Sequence, residues 1–130
     1  MNTSSAWRNQ FQTLKGIVDQ MPVDFPALEG CAVVDVSTGV VVHGVGRLVQ
    51  EGALAEASTD YWRHYQRHGS FFEELGPLRY CVLIHQEIRI TMFPCSQEMI
   101  LIFFTQEGQA VDWKDALGRA AHIRELAASL

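Results

Sequence analysis

Cys31–Gly46 reads CAVVDVSTGVVVHGVG, with a turn in its middle and apolar residues at nearly every position on either side. A half-buried hairpin alternates apolar with polar residues, because successive side chains point to opposite faces of the sheet. This one barely does, so it predicts a strand covered on both faces. Asp35-Val36-Ser37-Thr38-Gly39 supplies the turn. Asp35 can accept backbone N–H bonds, and Gly39 can take the left-handed conformation. Asp35 and Gly39 are therefore read as turn residues, with no acid, base or metal ligand nearby in sequence to make Asp35 catalytic.

Outward from the hairpin, Trp7, Phe11, Leu14, Val18 and Met21 are spaced by four, three, four and three, the stripe of an amphipathic helix over about Ser5–Gln20. Thr3, Ser4 and Ser5 offer caps, and Pro22 with Pro26 should stop it. From Leu48 to His68 the helical period returns, with Leu54, Ala57, Tyr61 and Tyr65 on one stripe, Trp62 beside it and Gly69 ending it. In the connection Ser70–Pro77, Phe71, Phe72 and Leu75 are expected to tuck into the core. Leu78–His85 and Ile88–Phe93 mix Arg79, His85, Arg89 and Thr91 into apolar patterns and read as half-exposed strands joined at Gln86-Glu87. Met99–Phe104, MILIFF, is apolar throughout, as a strand covered on both faces should be. A closing helix over about Val111–Ala128 is expected to bury Val111, Leu117, Ala121, Leu126 and Leu130.

Two strands apolar on both faces belong side by side at the centre of the sheet. Hairpin connections then place the other three, giving an α+β fold with a five-stranded antiparallel sheet of order 2-1-5-4-3. The first and last helices share one face and the middle helix takes the other. One helix of about 20 residues cannot hide five strands, which predicts that a second copy of the chain completes the cover.

Composition sets the outer bounds. The 130 residues suit one domain, 1–130, with its own core. The chain is 48% apolar and 19% charged, a globular balance. Its formal net charge of −5 opposes general binding to nucleic acid or anionic lipid. No apolar run approaches the ~18 to 20 residues of a membrane span, so no membrane insertion is expected. The start, MNTSSAWRNQFQ, lacks the basic residues and apolar stretch of a secretory signal, and a cytoplasmic protein is expected. Cys31, Cys81 and Cys95 are widely spaced among apolar neighbours and read as reduced, buried thiols.

The chemistry-bearing candidates are few. In YWRHYQRH, His64 and His68 are four apart, a spacing that can bring two imidazoles onto one metal, but no third ligand follows and Tyr65 stands where a zincin has Glu. No metal site is assigned. Arg63 and Arg67 beside Trp62 and Tyr65 could stack on nucleic acid, yet Asp60, Glu73 and Glu74 lie close by, and no nucleic-acid partner is expected. Gly44 and Gly46 form only GVG, without the context of a phosphate loop, so no nucleotide cofactor is expected. Cys81 and His85 share a strand face but lie ~13 Å apart, too far for a nucleophile and its base. No catalytic residue is assigned.

The segment LEGCAVVDVSTGVVVHG, then a helix, then LGPLRYCVLIHQEIRITMFPCSQEMILIFF and a terminal helix, resembles the Roadblock family of dynein light-chain-like and bacterial small-GTPase-regulating proteins. Its points are Glu29-Gly30 before the first strand, the Val-Asp-x-x-x-Gly turn, Leu75-Gly76 before the third strand, and the final strand and helix. Gln86-Glu87 departs from the Gly-containing turn of many relatives. The resemblance implies a profilin-like architecture and a non-enzymatic homodimeric scaffold or regulator that binds a small Ras-like GTPase or a related signalling or motility complex. It further implies a dimer in which the middle helix and third strand meet their symmetry mates, joining two sheets into one of ten strands. Here that would use Leu54, Tyr61, Trp62, Tyr65, Arg79, Cys81 and Leu83. Arg47, Arg63 and Arg67 are candidates for an arginine finger, with structural ion pairs the expected role. The alternative is a small-ligand sensor domain of PAS/GAF-like type, which would need a cavity against the sheet.

Overall fold

The hairpin turn closes as its residues require. In this computed structural model, which describes residues 3–50 and 52–130, the Asp35 carboxylate accepts the Ser37 N–H at 2.9 Å and the Ser37 hydroxyl at 2.6 Å. The Gly39 N–H donates to the Asp35 carbonyl at 2.8 Å, and Gly39 stands at φ 76°, where a β-carbon would be strained. The turn joins β1 (Leu28–Asp35) to β2 (Val41–Val45). The remaining strands are β3 (Cys81–Ile84), β4 (Ile88–Pro94) and β5 (Met99–Gln106), and the sheet is antiparallel in the order β2-β1-β5-β4-β3. The central pairing of β1 with β5 aligns Val33 with Leu101 and Ala32 with Ile102.

Strand alternation divides the core in two. Cys31, Val33, Leu101 and Phe103 face α1 (Thr3–Asp24) and α4 (Trp113–Ala128), which contribute Leu14, Val18, Met21, Ala120 and Ile123. Ala32, Val34, Ile100, Ile102 and Phe104 face the opposite way, against Val49 of α2 (Arg47–Gln50) and Ala55 and Trp62 of α3 (Ala53–Arg67). Both faces of the central strands are thus covered within one chain, which accounts for the unbroken apolar run of β1, while β2, at the edge, is half-buried throughout.

Several elements depart from their sequence reading. The first helix runs through Pro22 to Asp24: its apolar stripe continues past Met21 to the buried Phe25, and that packing outweighs one lost hydrogen bond near the helix end. Pro26 ends it, because a residue before proline is disfavoured in the helical region. The caps considered at Thr3 and Ser4 lie outside the described side chains. The middle helix is two helices, broken at Gly52, whose φ of 76° no continuing helix allows. Its buried residues are Ala55, Ser58, Thr59 and Trp62, so the stripe of Leu54, Ala57 and Tyr61 faces outward. α4 likewise buries Ala116, Ala120, Ile123 and Ala127 rather than Leu117 and Ala121, a rotation about the helix axis that brings small residues against the sheet.

Gly69–Leu75 forms a 3-10 segment with no buried residue; Phe71 and Leu75 are 81% and 80% exposed, not tucked into the core. The core on this side of the sheet is already filled by Trp62, Ile90 and Met92. β4 is more buried than its polar residues suggested, from Ile90 to Phe93, because it lies between β3 and β5. β3 keeps the expected half-exposed alternation.

Candidate self-association surface

α3 is held to the body of the chain from one side. Ser58 and Thr59 return their hydroxyls to the carbonyls of Leu54 and Ala55 at 2.6 and 2.7 Å, so two polar groups on the buried side are satisfied. Arg63 donates through Nε to the Val36 carbonyl at 2.8 Å and pairs with Asp60 at 2.5 Å, fastening the helix to the hairpin turn. The opposite side of α3 presents Leu54, Ala57, Tyr61 and His64, spaced by three, four and three, and His68, just past its end, continues the row. That is the spacing of a helix face that can pack against another helix. Leu54 is 42% and Tyr61 56% exposed.

Beside this helix lies the edge of the sheet. β3 pairs with β4, Cys81 opposite Met92 and Leu83 opposite Ile90, and among the described residues the order of strands leaves its other edge without a neighbour. Cys81 and Leu83 are half-buried on the face that α3 covers, while Val82 and Ile84 project exposed from the other. Exposed strand edges offer a row of unpaired N–H and C=O groups and invite a further strand.

The seven residues that the resemblance implied for the interface are therefore not alike. Leu54, Tyr61 and Arg79 are exposed. Tyr65 is half-buried, stacked on Phe72 with ring centroids 5.3 Å apart and tilted against Trp62 at 5.9 Å. Trp62 is only 4% exposed and belongs to the core under α3. Phe71, Phe72 and Leu75 add exposed apolar surface next to α3 that the sequence reading placed inside. The bracketing Gly69, Gly76 and Pro77 with Glu73-Glu74 between them was the available signal for a surface segment.

The other candidates resolve locally. Arg47 pairs with Glu29 at 3.3 Å, and Arg67 approaches His64 Nδ1 at 3.3 Å. The rings of His64 and His68 lie edge to face, 4.8 Å between centroids. Among the described residues no group of three or more His, Cys, Asp and Glu is placed to hold a metal ion, and no helix is long and apolar enough to cross a membrane. The three cysteines are free. Cys31 is buried, which raises its thiol pKa far above the ordinary value; burial pushes Cys95 up to about 12 and raises Cys81 as well.

No protein-family model matches the sequence, and no curated protein matches it. Among solved structures, a Roadblock/LC7 domain from Streptomyces avermitilis superimposes with a TM-score of 0.71 at 12% identity, covering 85% of this chain and 91% of that one. An MglB in a tetrameric arrangement gives a TM-score of 0.70 at 12% identity over 92% of this chain and 88% of that one. The gliding protein MglB from Thermus thermophilus gives 0.69 at 12% identity over 92% and 89%. At such low identity the likeness establishes the fold: the chain has the Roadblock/LC7 fold.

Proposed function

We propose that this protein is a non-enzymatic scaffold that forms a homodimer through α3 and β3 and, as a pair, binds a small Ras-like GTPase or a related signalling or motility complex. The observation that supports it is the juxtaposition of an outward apolar seam on α3 with an unpaired sheet edge at β3. Each feature alone would be ordinary. Together they give a two-fold partner both a helix to pack against and a strand to pair with, which is how an isologous interface is built. Leu54, Tyr61, Tyr65, Arg79, Cys81 and Leu83 form the proposed contact, with Trp62 supporting it from beneath. The tetrameric arrangement of one MglB adds that a chain of this fold self-associates.

The GTPase partner rests on the family resemblance of the sequence together with the shared fold. Arg63 and Arg47, each engaged in an ion pair, serve structure in this reading, so regulation would act by positioning the GTPase's own groups. The test has two arms. Light scattering should give a solution mass twice 14.6 kDa for the parent chain and 14.6 kDa for a folded Tyr61→Arg variant. Capture from host lysate, with GDP and with a non-hydrolysable GTP analogue in parallel, should recover a small GTPase in one nucleotide state. A monomeric parent chain would overturn the interface, and recovery of no GTPase in either state would overturn the partner.

A further inference from the structure

The outward row of α3 ends in two imidazoles. Leu54, Ala57 and Tyr61 lead to His64, and His68 follows one turn later, its ring edge to face with that of His64 at 4.8 Å between centroids. Both histidines are exposed in the single chain. Arg67 donates to His64 Nδ1 at 3.3 Å, which requires a lone pair there and so a ring without a proton on that nitrogen. A proton at Nδ1 removes that bond and sets an imidazolium against a guanidinium. A second proton, on His68, gathers three positive charges within little more than one helical turn.

The neighbouring charges do not offset this. On α3 itself, Asp60 is taken up by Arg63 at 2.5 Å, and Glu56 lies beside Gly39 of the hairpin turn. From the Gly69–Leu75 segment, the ring that meets His68 is Phe71, at 6.2 Å between centroids; Glu73 lines the cleft beside Trp62 and Tyr65, and Glu74 is exposed. An isologous interface sets a surface against its own copy, so what lies opposite is drawn from the same residues. Among the described residues the row carries no carboxylate.

We propose that protonation of His64 and His68 dissolves the pair formed through α3 and so makes self-association pH-dependent, an inference that rests on the homodimer proposed above. Imidazole is the side chain that ordinarily changes charge between about pH 5 and 8. Packing the row against a second copy takes water from both rings, which disfavours their charged form. The single chain therefore takes up protons more readily than the pair, and the pair weakens as pH falls. Asp24 and Asp35 are lowered from 3.8 and the thiols are raised from 9.0, so these groups keep their charge state across that interval.

The test is sedimentation equilibrium of the full chain at about pH 8 and about pH 5.5, at one ionic strength. The dimer dissociation constant should rise at least about tenfold at the lower pH, and the double variant His64→Gln/His68→Gln should keep one constant at both. His64→Lys, with a fixed charge, should be weakened at both. His85→Gln, which removes the imidazole after β3, should respond as the parent does. Circular dichroism establishes that each variant is folded. A parent chain with equal dimer constants at both pH values overturns the switch and leaves the homodimer standing. A parent chain monomeric at both overturns the homodimer, and this inference with it. A response that persists in the double variant, or disappears in His85→Gln, puts the sensing group elsewhere and overturns the assignment to His64 and His68.

Discussion

Asp35 works through its own backbone neighbourhood. Its carboxylate is held below the ordinary value of 3.8 chiefly by the Ser37 hydroxyl, with the backbone N–H groups of Thr38 and Ser37 adding to it. Because the folded value is depressed, the group stabilises the fold above the unfolded value and loses that contribution as pH falls through the folded one. Asp35→Ala should therefore lower the urea midpoint at neutral pH, and the gap between variant and parent should close as pH is taken below 3.8. A gap that stays constant down to the acid transition would show that the carboxylate's charge is not what holds the turn. Asp24, lowered mainly by its hydrogen bond to Arg119, obeys the same sign and ties the end of α1 to α4.

Among the elements, α3 is the one whose two sides do different work. Its inner side is fixed by Ala55, Thr59 and Trp62, so Trp62→Arg would disturb the core together with any interface, whereas Tyr61→Arg changes only the outward seam. β3 supplies an independent readout through Cys81, half-buried on the edge strand. In the parent chain a thiol reagent should modify Cys81 slowly, and in the Tyr61→Arg variant faster by about tenfold, the difference that a 1.4 kcal/mol opening equilibrium makes. Cys31, buried beneath α1 and α4, should stay unreactive in both until the chain unfolds. Equal Cys81 rates in the two proteins would mean that β3 is not covered by a second copy.

Across the molecule, stability is concentrated where the two central strands are covered on both faces. Phe103 lies 5.0 Å from Phe93, ring centre to ring centre, and packs with α1 and α4; Phe103→Ala should cost about 3–5 kcal/mol, measured by denaturant unfolding. A loss below about 1 kcal/mol would mean that the site collapses around the missing ring. The turn at Asp35 and Gly39, the doubly covered strands, the strand order and the sharing of one face by the terminal helices were all legible in the residues, because they follow from local chemistry and from alternation along single segments. The pattern of apolar residues pointed to the wrong side of α3, because Leu54, Ala57 and Tyr61 face outward while the buried side carries Ser58 and Thr59 with their hydroxyls turned back to the helix. Nor did it show that Phe71 and Leu75 remain outside. Packing settled those points, because the space under α3 is finite: once Trp62, Ile90 and Met92 fill it, the remaining aromatic rings have no place in the core of one chain and stand on its surface.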